Sequence, residues 1–123
     1  MRRVLFFVSL LLLCSIRALY AQGVDESKVI TLTVRQGEQI TFVFAGSTQG
    51  VRVRIDGVDN GAKELEAPTF RTIDWKNLPR YKALGTEIKI YGNITLFACD
   101  DNGQNITGLD ITTNPEITML SCV

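Results

Sequence analysis

Ile94-Thr95-Leu96-Phe97-Ala98-Cys99 returns 23 residues later as Ile117-Thr118-Met119-Leu120-Ser121-Cys122, with the large apolar positions and the cysteine kept. A phrase repeated at a fixed period in the twenties is the mark of a stacked repeat, in which each unit buries its apolar face only against its neighbour. The chain ends at Val123, inside the second copy. Its last thirty residues therefore hold one full rung and the opening strand of the next.

Set against the leucine-rich-repeat pattern L-x-x-L-x-L-x-x-N, the first copy offers Ile94, Phe97, Cys99 and Asn102, and the second offers Ile117, Leu120 and Cys122. The run from Cys99 through Asn102, Ile106-Thr107-Gly108-Leu109-Asp110 and Asn114 to Cys122 resembles the C-x-x-N-x-L-T-x-L-D-x-[ST]-x-N-x-x-L-T-x-L-x-C repeat. That repeat belongs to internalin-like leucine-rich-repeat surface proteins of Gram-negative, anaerobic host-associated bacteria. Gly103-Gln104-Asn105 takes more room than the pattern allows, which leaves Asn102 and Asn105 both open as the residue that satisfies backbone groups at the strand exit.

The resemblance implies protein recognition at a cell surface. In such a rung Ile94, Phe97 and Cys99 point into the core, while Leu96 and Ala98, and Met119 and Ser121 one rung on, line the outer face of a parallel sheet. These four are the expected partner-binding residues. Neighbouring strands lie about 4.8 Å apart, so Leu96 and Met119 are expected as adjacent exposed apolar spots. Cys99 and Cys122 fall within bridging distance in that arrangement. As inward-pointing residues of an apolar stack they are expected to serve as small hydrophobes with free thiols.

Upstream, the periodicity is two. Val29 to Arg35, Gln39 to Ala45, Val51 to Asp56 and Glu87 to Tyr91 alternate β-branched or aromatic residues with polar ones, as half-buried strands do. The links are short: Gln36-Gly37-Glu38, Gly46 to Gly50, and Asp59-Asn60-Gly61. They predict an antiparallel meander. Lys63 to Leu84, punctuated by Pro68 and Pro79, is irregular, with Trp75, Leu78, Tyr81 and Leu84 expected to cover the core. The expected fold class is all-β: a small antiparallel β-sandwich or sheet domain followed by the first one to two rungs of a leucine-rich-repeat solenoid. The expected divisions are a signal peptide over 1–21, a β-rich capping domain over 22–92, and partial repeats over 93–123. A cap is required because a terminal rung otherwise leaves its stacking face in water.

Met1 to Ala21 reads as the signal peptide. Arg2-Arg3 precedes an apolar run from Val4 to Ile16 that is too short to span a bilayer, and Ala18-Leu19-Tyr20-Ala21 offers a cleavage site. The expected location is secreted, periplasmic or on the outer cell surface, with no membrane span in the mature chain. Removing Arg2, Arg3 and Arg17 leaves 10 basic residues against 13 acidic ones, so no basic patch suited to nucleic acid survives.

The chain has no histidine, which excludes Ser-His-Asp and Cys-His catalysis. Glu64 and Glu66 flank Leu65 and Asp74 sits beside Trp75, a carboxylate pair by an aromatic platform of the kind that acts on a glycoside, but such pairs arise by chance in chains of this length, and no enzyme, cofactor or metal is expected. Asp56-Gly57-Val58-Asp59-Asn60-Gly61 opens like a calcium loop, but Val58 and Ala67 stand where the third and twelfth ligands belong, so it reads as a hairpin turn. Asp100-Asp101-Asn102-Gly103 reads as a solvated loop, and the glycosylation patterns at Asn93 and Asn105 as accidental for a bacterial chain. The first function expected is non-catalytic protein binding or adhesion. The alternative is a small secreted carbohydrate-binding β module that stacks a glycan on Trp75 and Tyr81, or a truncated fragment of a longer repeat protein.

Overall fold

The computed structural model describes residues 23–59 and 63–122. The leader, and the Asn60-Gly61 part of the expected hairpin turn, lie outside the described residues. The strands are β1 (Val29–Val34), β2 (Gln39–Thr41), β3 (Val43–Ala45), β4 (Arg52–Asp56), β5 (Lys63–Glu66), β6 (Arg80–Lys82), β7 (Glu87–Tyr91), β8 (Leu96–Ala98), β9 (Ile106–Asp110) and β10 (Met119–Ser121). A single 3-10 turn covers Phe70–Thr72, and no α-helix occurs among the described residues. The fold is thus nearly all β, built of open, mainly antiparallel sheets. Among the described residues no helix is long and apolar enough to cross a membrane.

Alternation assigns a face to each residue, and the core follows it. Ile30, Leu32 and Val34 of β1, Val53 and Ile55 of β4, and Ile88 and Ile90 of β7 are buried on the inner side of a five-stranded antiparallel sheet ordered β5-β4-β7-β1-β9. Ile40, Phe44 and Phe97 from the other two sheets, with Phe42 between β2 and β3, complete the same core. Burying each such side chain is worth about 1.5–3 kcal/mol.

The expected meander is not what forms. β1 pairs with β7 and β9, and β2 pairs with β6, so consecutive strands pair directly only at β4 and β5. The physical reason lies in the Gln36–Glu38 link. Gly37 takes φ 82°, donates its N–H to Ala83 O at 2.8 Å, and carries the chain from one layer across the core to the other. A short link and a period of two fit an arch as well as a hairpin, because alternation names the buried face and not the neighbour. Likewise the run Gln39 to Ala45 is two strands: it breaks at Phe42, where pairing passes from β6 to β8.

At that break Asn102 satisfies backbone groups. Its Nδ2 donates to Thr41 O at 2.7 Å and Cys99 O at 2.8 Å, and its Oδ1 accepts the Thr41 N–H at 2.7 Å. Between the two candidates, Asn102 is therefore the clip; Asn105 contributes only backbone bonds, its N–H to Asn102 O and its carbonyl to the Arg35 N–H. Asn114, 1% exposed, makes a second clip by donating Nδ2 to Gly92 O at 3.0 Å.

The repeated phrase pairs with itself. β10 lies parallel to β8 with Met119 opposite Leu96, Leu120 opposite Phe97 and Ser121 opposite Ala98, a constant offset of 23 residues. On its other side β8 runs antiparallel to β3, giving a three-stranded sheet ordered β10-β8-β3. Strand pairing crosses the 92/93 boundary where β8 pairs with β3 and β9 with β1, and the Asn102 and Asn114 side chains bond across it as well. Ile94, Phe97 and Cys99 are buried.

The thiol expectation is corrected. Cys99 and Cys122 form a disulfide, their Cα atoms 4.7 Å apart. In-register parallel neighbours bring equivalent Cα atoms to the inter-strand spacing, which is inside bridging range. Cys99 is buried and Cys122 exposed, so the bridge runs from the core to the surface rather than within an apolar stack.

Two stability results are expected. Asn102→Ala strands a buried N–H and two carbonyls and should cost about 2–4 kcal/mol in urea unfolding, whereas Asn105→Ala should change stability by less than about 0.5 kcal/mol. Replacing Cys99 and Cys122 by serine opens a loop of 23 residues and should cost about 3 kcal/mol in the same measurement, as removal of a cross-link of this span does.

Candidate functional site

The site forms on the face of the three-stranded sheet that turns away from the core. Val43 and Ala45 of β3, Leu96 and Ala98 of β8, and Met119 and Ser121 of β10 lie on it as laddered pairs. The four expected partner-binding residues are thus brought together. Their exposure is not as expected: Leu96 is 4% and Ala98 8% exposed, while Met119 stands at 51%. Leu96 and Met119 are adjacent, but only Met119 is an exposed apolar spot. The burial of the β8 pair comes from its neighbours, because β8 is the central strand and the segment carrying Phe70 and Trp75 runs along the same face.

That segment is tied to β3 at its start and shaped by its own hydrogen bonds. Gly46 N–H donates to Pro68 O at 2.9 Å, and a Cβ on Gly46 would sit 2.8 Å from Val51 Cβ, so Val51 leaves room there only for glycine. Thr72 Oγ1 accepts the Thr69 N–H at 2.9 Å and closes the 3-10 turn that presents Phe70. Farther on, Asp74 accepts the Lys76 N–H and the Asn77 amide, each at 3.2 Å, and so shapes the turn that carries Trp75. The two rings meet edge to face with centroids 6.3 Å apart, and remain 53% and 48% exposed. Pairs in this geometry gain about 0.5–1.5 kcal/mol beyond their burial.

Two adjoining clefts result. One, of about 360 Å³, lies between Phe70, Thr69 and Arg71 on one side and Leu96 and Met119 on the other. The second, of about 390 Å³, runs between Trp75 and the residues Leu96, Ala98, Met119 and Ser121. Asp100 borders it, and its carboxylate accepts the Ser121 hydroxyl at 2.8 and 2.9 Å. An exposed apolar surface with a carboxylate and a hydroxyl at its rim is equipped to bind by contact and hydrogen bonding.

Trp75 and Leu84 were expected to cover the core; instead they are 48% and 53% exposed, and Ala83 is buried. Trp75 joins the repeat residues, whereas Tyr81, its expected sugar-binding partner, does not. The Tyr81 ring stacks on Phe42 with centroids 4.5 Å apart, and Lys63 Nζ lies 5.5 Å over it. Glu64 bonds Arg52, and Glu66 accepts the Gly50 N–H at 2.8 Å. Sequence reasoning missed Phe70 and Arg71. The available signal was Phe70 five residues before Trp75 in a polar stretch, too many apolar rings for a segment without alternation.

No family model, curated protein or solved structure matches the chain. The reading of the site therefore rests on its geometry.

Burial pushes the Tyr81 phenol above its ordinary value of 10.0. The unfolded chain releases that proton first as pH rises, so the stability tied to neutral Tyr81 is complete below pH 10 and is lost above it. An ultraviolet titration should resolve one phenol ionising late, and Tyr81→Phe should remove it and flatten the alkaline loss of stability.

Proposed function

We propose that this chain is a non-catalytic, exported or surface-held module of the leucine-rich-repeat type, whose outer sheet face binds another protein. In this reading residues 22–92 cap a short repeat stack, and the leader delivers the chain out of the cytoplasm. The observation that carries it is the parallel pairing of β10 on β8 at the repeat's own period, which lines up Leu96 with Met119 and Ala98 with Ser121 under Phe70 and Trp75. Asn102, bonded to backbone on two strands, supports the same reading. Exposed Met119, Phe70 and Trp75 supply the aromatic and thioether contacts that protein interfaces favour.

A second reading is kept by one observation. Trp75 is half-exposed beside the Asp100 carboxylate and the Ser121 hydroxyl, a platform with acceptors at its edge that suits a sugar ring. In this reading Tyr81, held on Phe42, takes no part.

Screening the chain against an array of extracellular proteins and a glycan array distinguishes the two. The expected result is a protein ligand whose affinity falls at least tenfold in Met119→Asp while the melting temperature is unchanged. Binding confined to glycans, lost in Trp75→Ala and kept in Met119→Asp, would overturn the proposal in favour of the sugar-binding reading.

A further inference from the structure

In a parallel ladder alternate residues of a strand bond the same neighbour. Met119 N–H donates to Thr95 O and Ser121 O accepts the Cys99 N–H, so Met119 and Ser121 turn their backbone groups toward β8. Leu120 between them turns its N–H and C=O the other way, to the free edge of the sheet. Its side chain lies in one row with Phe44 and Phe97, which are 3% and 0% exposed, yet Leu120 is 47% exposed. The row of apolar side chains and the ladder of backbone bonds both stop at this residue.

Exposed sheet edges are ordinarily guarded by charge, bulges or cover. The other edges here are guarded. β5 carries Lys63, Glu64 and Glu66, and β6 carries Arg80 and Lys82. β9 carries Asp110 and a register shift opposite Val34, β3 is buried throughout, and Asn102 occupies the backbone of Thr41 in β2. From Ile117 to Cys122 there is no charge, no proline and no glycine. A second copy meeting β5 or β6 would have to desolvate the charged side chains along those edges, and at β10 it would not.

We propose that β10 pairs with the β10 of a second copy of this chain, antiparallel about a two-fold axis at Leu120. Each Leu120 N–H donates to the other's carbonyl, the two leucine side chains meet on the core-side face, and Met119 of one copy stands opposite Ser121 of the other. A two-fold contact demands a self-complementary patch. One outward N–H and one outward C=O on a single central residue meet that demand. The two three-stranded sheets become one six-stranded sheet, so the outer faces with their Trp75 clefts are joined side by side. The contact is small, and pairing is therefore expected to depend on concentration.

Sedimentation equilibrium of the purified chain, its Cys99–Cys122 bond intact, over a series reaching millimolar concentration tests this. The wild type should approach twice the monomer mass. Leu120→Pro removes only an outward N–H, a position edge strands tolerate, and should stay monomeric with unchanged circular dichroism. Leu120→Lys leaves the backbone whole and should also stay monomeric, so the result does not hang on how the proline variant folds. A wild type that remains monomeric throughout overturns the proposal, whether the edge serves a strand of another protein or a further copy of the phrase. So does a dimer that survives in both variants.

Discussion

The structure depends on the two-sided pairing of β8. This three-residue strand runs antiparallel to β3 on one side and parallel to β10 on the other, and so joins an antiparallel domain to a strand that follows the repeat. Phe97 at its centre is fully buried, 5.9 Å from Phe42, and fixes which face is core. With a side-chain period of two, a one-residue slip would exchange the faces and put Phe97 in water. Two further constraints hold that register. Asn102 ties the exit of β8 to the break between β2 and β3, and the disulfide ties Cys99 to Cys122 one residue beyond the paired stretch.

The outer face follows from the same register. Once Phe97 points inward, Leu96 and Ala98 must point outward, and parallel pairing without stagger brings Met119 and Ser121 beside them. Apolar residues on an outer face need cover, and the segment docked through Gly46 and Pro68 supplies part of it with Phe70 and Trp75. The cover is incomplete. Leu96 and Ala98 are closed off while Met119, Phe70 and Trp75 stay half-exposed, and that contrast is what makes the face a candidate for recognition rather than an extension of the core.

Much of this was legible in the sequence. The alternation in Val29 to Val34 and Glu87 to Tyr91 named the buried residues of those strands, and the repeat named Ile94, Phe97 and Cys99 as inward. What alternation does not carry is partnership, so the arch at Gly37 was indistinguishable from a hairpin, and the split of Gln39 to Ala45 at Phe42 depended on a contact with Asn102 sixty-one residues away. The burial of Leu96 arises from a segment with no period of its own, and only tertiary docking brings Trp75 to the repeat and leaves Tyr81 on Phe42. The disulfide was misjudged because the inward pattern argued for separate thiols, whereas the unstaggered parallel pairing brings the two Cα atoms to 4.7 Å.

The most direct test of the account is the register between β8 and β10, read from cross-strand nuclear Overhauser contacts in the folded chain. The account predicts contacts between Leu96 and Met119, Phe97 and Leu120, and Ala98 and Ser121, advancing together at a constant separation of 23 residues. Contacts in which one residue number rises as the other falls would mean antiparallel pairing, and would contradict both the repeat stack and the outer face built on it.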